Sequence, residues 1–215
     1  MKIEVKEVSK EIDSNKIINK TTLTFEKGKT YGLIGRNGSG KSVFLKMLAG
    51  FYTPTTGEIL FNGVNYFKKG ELVPNLRVLI EKPNFIAELS GYRNLKILSE
   101  INRLISDEDI FETLRTVKLY DDKDKLYHKY SLGMKQKLGI AQVLMEDPDI
   151  MVFDEPFNGI EDKTADDLRK KLKEISSEKI IIIASHIKED VDMLVDVLYE
   201  FKNGDIIRND NHIKK

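Results

Sequence analysis

Residues 35–42 read Gly-Arg-Asn-Gly-Ser-Gly-Lys-Ser and match G-x-x-x-x-G-K-[ST] at every fixed position. The segment follows an apolar, strand-like run, Tyr31 to Ile34, and leads into Ser42 to Ala49. There Val43, Phe44, Met47 and Leu48 recur at helical spacing and Gly50 marks a stop. Strand, glycine-rich turn and helix in that order constrain the fold tightly, because the turn then presents backbone N–H groups and a positive helix end to a single point. Gly35, Gly38 and Gly40 let the chain curl, so that the amides around Asn37 and Ser39 face phosphate oxygens. In this role Lys41 neutralises β and γ phosphates and the Ser42 hydroxyl ligates Mg2+. The segment predicts a nucleoside triphosphate site. The bland alternative is a turn that merely joins strand to helix.

The rest of the chain predicts an α/β protein. Short apolar or alternating runs at Ile3 to Val8, Thr22 to Phe25 and Arg77 to Ile80 read as strands. Glu58 to Phe61 and Val64 to Phe67 flank Asn62-Gly63, a hairpin signal that predicts a small antiparallel element. From about residue 88 to 147 the pattern is helical, with Leu95, Leu98, Ile101, Leu104 and Ile105 in one segment and Ile110, Leu114 and Val117 in the next. Strands return at Ile150 to Phe153 and Ile180 to Ala184, on either side of a helix carrying Ala165, Leu168, Leu172 and Ile175. Val191 to Leu194 reads as helical, Leu198 to Phe201 and Ile206-Ile207 as a closing hairpin, and the polar tail from Asn209 as frayed. The expected fold is a single P-loop domain, residues 1–215, with a parallel core, a small antiparallel subdomain and a helical subdomain inserted at about 88–147.

Composition narrows the function classes. The 215 residues hold 35 Lys and Arg against 35 Asp and Glu. That balance lacks the field expected of a nucleic-acid binder, so no nucleic acid partner is expected. With no Cys, disulfides and thiolate chemistry are excluded, and catalysis falls to oxygen and nitrogen groups. The longest aliphatic run, Ile180 to Ala184, is far below the roughly 20 residues of a spanning helix. Met1 to Lys6 alternates in charge and lacks the pattern of a secretory signal, which predicts a cytoplasmic chain.

Two strand ends carry the remaining chemistry. Ile150 to Phe153 ends in Asp154-Glu155, which supplies the carboxylate that a P-loop needs for its metal. Alternation along the strand sends these acids in different directions, so Asp154 is the expected metal-side residue and Glu155 the general base facing water. A solvated turn before Pro156 is the alternative. The second apolar strand ends in Ser185-His186, which places an imidazole where ligands of open α/β sheets bind. From there His186 could donate a hydrogen bond to the γ-phosphate and the water, whereas His128 and His212 carry no such positional signal.

Gly35 to Ser42, Tyr130-Ser131-Leu132-Gly133-Met134-Lys135-Gln136, Ile150 to Pro156 and Ser185-His186 occur in an order and spacing that resemble the ATP-binding cassette (ABC) ATPases. The resemblance spans essentially the whole chain. Ser-Leu-Gly-Met-Lys-Gln together with Leu79-Ile80-Glu81-Lys82-Pro83 is most similar to ATPase subunits of bacterial multidrug, bacitracin and lantibiotic exporters. From the residues alone, Ser131 can cap an amphipathic helix and leave its positive end open to an anion. The family implies more: Ser131 and Gly133 complete the ATP pocket of the opposite subunit in a head-to-tail pair, a homodimer or a heterodimer with a similar ATPase. It also implies ATP and Mg2+ as ligands, Glu81 near the metal, and a separate transmembrane permease that holds the chain at the inner face of the membrane.

Three positions depart from the family pattern. Glu81 stands where Gln is usual, Glu161 replaces an Asp, and Ile12 lies near the place of an aromatic ring that stacks on adenine. The last predicts weaker base recognition and tolerance of GTP. The competing function is a P-loop kinase of nucleotides or small metabolites, with the helical segment as its lid. A clamp acting on DNA or ribosomes and a nucleotide-binding regulator that does not hydrolyse are the further alternatives.

Overall fold

The computed structural model describes residues 1–209, so the tail expected to fray lies outside the described residues beyond Asn209. In chain order the first half comprises β1 (Lys2–Ile12), β2 (Asn15–Glu26), β3 (Lys29–Gly35), α1 (Lys41–Leu48), β4 (Thr56–Phe61) and β5 (Leu76–Leu79). Three helices follow, α2 (Gly91–Asn102), α3 (Asp107–Thr116) and α4 (Leu132–Leu144). The chain then runs through β6 (Ile150–Asp154), α5 (Asp162–Ile175), β7 (Ile180–Ala184), α6 (Lys188–Leu194), β8 (Val197–Lys202) and β9 (Asp205–Asn209).

The strands form two sheets. One is antiparallel, in the order β2-β1-β4; the other has the order β5-β6-β7-β3-β8-β9 and is parallel except for its last pair. β7, and β6 as far as Phe153, are apolar because both faces are covered. Ile180 and Ile182 of β7, with Ile150 and Val152 of β6, pack into a core shared with α1, β1, β2 and β4. Ile181, Ile183, Met151 and Phe153 point the other way, into a core shared with α2 to α5. The two-residue period of a strand thus divides one run of isoleucines between two cores.

The helices begin where their capping residues stand. Ser90 accepts a hydrogen bond from Arg93 N at 3.2 Å, Ser131 accepts one from Met134 N at 3.2 Å, and Ser106 forms a reciprocal box with Asp109.

Several expectations need correction. The Asn62-Gly63 turn makes no hairpin of two strands: Phe61 and Val64 form a single bridge, and Phe67–Lys69 is a 3-10 turn. The aromatic rings decide this, because Phe67 folds back edge-on to Phe61 with centroids 5.8 Å apart, and β4 pairs with β1 instead. In α2, Leu95 is buried but Ile101 is 73% exposed, and Leu104, beyond the helix end, is 61% exposed, so that apolar stripe is only partly core. The helix stops at Asn102 because Arg103 adopts a left-handed conformation, φ 54°.

Candidate nucleotide site

Strand order assembles the site. β7 lies between β3 and β6, so the loops leaving all three strands emerge side by side. Backbone hydrogen bonds tie them together: Ser185 N donates to Leu33 O at 3.2 Å and Glu155 N to Ala184 O at 2.8 Å. These contacts fix the phosphate loop, the acidic pair and His186 at the carboxyl edge of one sheet, where open α/β folds bind ligands.

The glycine-rich loop has the expected form. Gly38 and Gly40 take φ of 77° and 102°, and Gly40 caps α1 by its backbone alone. A Cβ on Gly40 would also stand 2.7 Å from Ile18 Cδ1, so the β2 strand holds this turn from behind. Lys41 is only 7% exposed and donates to the carbonyls of Gly35 at 2.7 Å and Arg36 at 3.2 Å, which keeps its ammonium inside the loop.

A cavity of about 710 Å3 opens over this loop, lined by residues 37–43, Glu81, Lys82, Leu132, Gln136, Asp154, Glu155 and Asn158. Both acids of the pair therefore face one space, unlike the split expected from strand alternation. The strand ends at Asp154, and Glu155 turns with a left-handed φ of 50°, so the two-residue period no longer governs it. One Glu155 oxygen, Oε1, lies 2.8 Å from His186 Nδ1, while the other, Oε2, is buried without a hydrogen-bond partner. His186 is thus partnered with the acid itself.

Glu81 lines the same cavity and pairs with Lys46 of α1. That hydrogen bond raises the Lys46 pKa above its ordinary value, and Asp154 adds a smaller pull in the same direction.

Ser131, Gly133 and Ile12 stand elsewhere. Ser131 is exposed at the start of α4, and the cavity takes Leu132 from that turn but neither Ser131 nor Gly133. A Cβ on Gly133 would come within 2.4 Å of the Gly159 carbonyl oxygen, so this glycine lets α4 approach the loop after Glu155. Ile12 pairs with Asn15 at the tip of the β1–β2 hairpin and does not line the cavity. Sequence reasoning placed Gln136 in a motif but gave it no role; it is 6% exposed, and its Nε2 donates to the Glu155 carbonyl at 3.2 Å. Its signal was a lone amide on the helix stripe Gly133, Gln136, Ile140 and Val143. A buried amide there requires a partner.

The phosphate loop, the carboxylates at the ends of neighbouring parallel strands and the appended antiparallel sheet define a P-loop nucleotide-hydrolysing cassette. A family model described as "ABC transporter" matches residues 18–158. The bacitracin transport ATP-binding protein BcrA of Enterococcus faecalis is 35% identical over 97% of this chain and 69% of its own length. The lantibiotic transport ATP-binding protein SrtF of Streptococcus pyogenes is 33% identical over 95% of this chain and 89% of its own length. Among solved structures, a dimeric ATP-binding cassette in a post-hydrolysis state with ADP and Pi superposes with a TM-score of 0.87. It covers 96% of this chain and 97% of that one at 18% identity, a likeness of fold. The chain belongs to the ABC transporter family, and it is an ATPase.

Proposed function

We propose that the chain is the ATP-hydrolysing subunit of an exporter, one that closes in pairs around ATP and drives a separate membrane permease. The observation that carries this is that the chain presents two anion-ready features. One is the cavity over the phosphate loop; the other is the exposed, Ser131-capped end of α4, from which that cavity takes Leu132 and Gln136 but neither Ser131 nor Gly133. A second subunit arranged head to tail gives Ser131 and Gly133 a phosphate to meet. A kinase has no role for that helix end, and the family membership favours the cassette.

Within each site the residues divide the work. The loop amides and Lys41 hold the β and γ phosphates. Glu155 accepts a proton from water as the water oxygen attacks the γ-phosphorus and the β–γ bridging bond breaks, releasing ADP and phosphate. Its unpartnered Oε2 suits that task, and the His186 contact at Oε1 fixes the carboxylate's direction. Ser42, Asp154 and Glu81 suit Mg2+, since a hydroxyl and hard carboxylates border the phosphate loop. Among the described residues no group of three or more His, Asp or Glu is placed to hold a metal by itself. When bound there, Mg2+ would supply neutralisation of phosphate charge.

A cleft of about 360 Å3 beside the Glu81 loop, between Asn84 to Ile86 and α2, suits the permease, and Ile86 and Ile97 are 50% and 44% exposed at its edge. Among the described residues no helix is long and apolar enough to cross a membrane. We assign attachment to the inner face of the membrane to the partner. The relatives transport bacitracin or lantibiotics by their names, which supports a peptide antibiotic as cargo.

The test is the Glu155→Gln protein with ATP. ATP turnover is expected to fall by about 100-fold or more while ATP binding persists, with light scattering moving from monomer to dimer. Wild-type turnover would remove Glu155 from the mechanism, and a protein that binds ATP yet stays monomeric would remove the composite site.

A further inference from the structure

Arg169 of α5 and Asp190 of α6 form an ion pair buried almost completely, at 6% and 1% exposure, with Nε to Oδ1 at 2.7 Å. Burying such a pair carries a desolvation cost that well-packed apolar side chains do not, so stability alone gives little reason for it. Its contacts supply another reason. Asp190 Oδ2 accepts the hydroxyl of Ser185, itself 2% exposed, and that hydroxyl oxygen accepts Ile187 N at 3.0 Å. The backbone on both sides of His186 is thereby tied down, while the His186 side chain is 62% exposed and meets Glu155 through one contact. On its other flank the Arg169 guanidinium lies 4.9 Å from the ring centroid of buried Phe157, two residues after Glu155. Asp166 on the same helix takes the remaining near contact, at 2.8 Å from Nη1.

We propose that Ser185, Asp190 and Arg169 are positioning residues that hold His186 against Glu155 from behind. An exposed imidazole with one partner is oriented by its backbone, and the buried chain fixes that backbone; Phe157 links the same guanidinium to the loop leaving Glu155. This inference rests on the roles given above to Glu155 and His186. None of the three lines the nucleotide cavity, and they act only through where His186 stands.

The experiment compares ATP turnover in Ser185→Ala, Ser185→Thr, His186→Ala and the double variant Ser185→Ala with His186→Ala, using the full chain and Mg-ATP. Ser185→Ala is expected to lower kcat roughly ten- to a hundredfold with KM for ATP unchanged, and Ser185→Thr to restore it by returning the hydroxyl. In the His186→Ala background the same substitution should cost nothing further, because its effect runs through the missing ring. The ring 15N shifts of His186, one of three histidines, should report loss of the Nδ1 contact in Ser185→Ala and its retention in Ser185→Thr. Replacing the pair by Arg169→Met with Asp190→Leu should keep the melting temperature yet lower kcat, which separates positioning from stability.

Wild-type kcat in Ser185→Ala, or an equal loss with and without His186, overturns the network's role. Wild-type turnover in His186→Ala instead overturns the role of the imidazole, and the network's with it.

Discussion

Lys41 shows how much of the site one residue carries. It is buried at the first turn of α1, and its ammonium already rests on carbonyls of the loop that receives phosphate, so little rearrangement separates it from a ligand. Taking away a buried charge partner costs about 2–5 kcal/mol. Lys41→Ala should therefore weaken ATP binding at least tenfold, as isothermal titration calorimetry would measure; unchanged affinity would place the phosphates elsewhere. Glu81 holds a second lesson at this scale. Its carboxylate is engaged by Lys46, so a cation reaching it must compete with a side chain of the same protein. Glu81→Gln should release Lys46 and lower its pKa toward the ordinary lysine value, a change that lysine side-chain NMR can follow. Both residues stand at positions their motifs name, but the Lys46 partnership joins residues 35 apart in sequence, and no local pattern announces it.

At the scale of elements, α4 performs two tasks that its sequence shows as one. Ser131 caps it and opens its positive end, whereas Gly133 and Gln136, one turn on, press it against the loop after Glu155. This gives Gly133→Ala a diagnostic sign. For a glycine needed only by a partner's phosphate, alanine inside a helix should stabilise the isolated subunit by up to about 1 kcal/mol. Here the new Cβ meets the backbone oxygen of Gly159 at 2.4 Å, so a loss of about 1–3 kcal/mol is expected instead. Chemical denaturation without nucleotide decides between the two signs. The strands β6 and β7 and the start of α4 were legible because period, apolar runs and capping residues are local signals. The hairpin expected at Asn62-Gly63 gave way because Tyr66 and Phe67 pack back on Phe61, an aromatic contact that turn chemistry does not encode.

The whole molecule stacks two sheets and a helical layer around two cores, and tyrosines are buried in both. Burial pushes Tyr31 and Tyr130 up to about 12, against about 10 for a tyrosine in the unfolded chain. The folded protein holds those protons more tightly, so the stabilisation is complete below pH 10 and is lost as pH rises from about 10 through about 12. Urea midpoints should fall between pH 9 and pH 11, and Tyr130→Phe should reduce the fall; a flat profile would contradict the burial.

The sequence by itself determined the phosphate loop, the acids after β6, the imidazole after β7 and the capped helix, because each is a short pattern whose chemistry is complete within a few residues. Only the tertiary structure decided that β7 runs between β3 and β6, that Glu155 turns left-handed into the cavity of Asp154, and that Arg169 and Asp190 meet beneath His186. The physical reason is common to all three. They depend on which surfaces exclude water together, and the segments that meet lie tens to more than a hundred residues apart, beyond the reach of any local period.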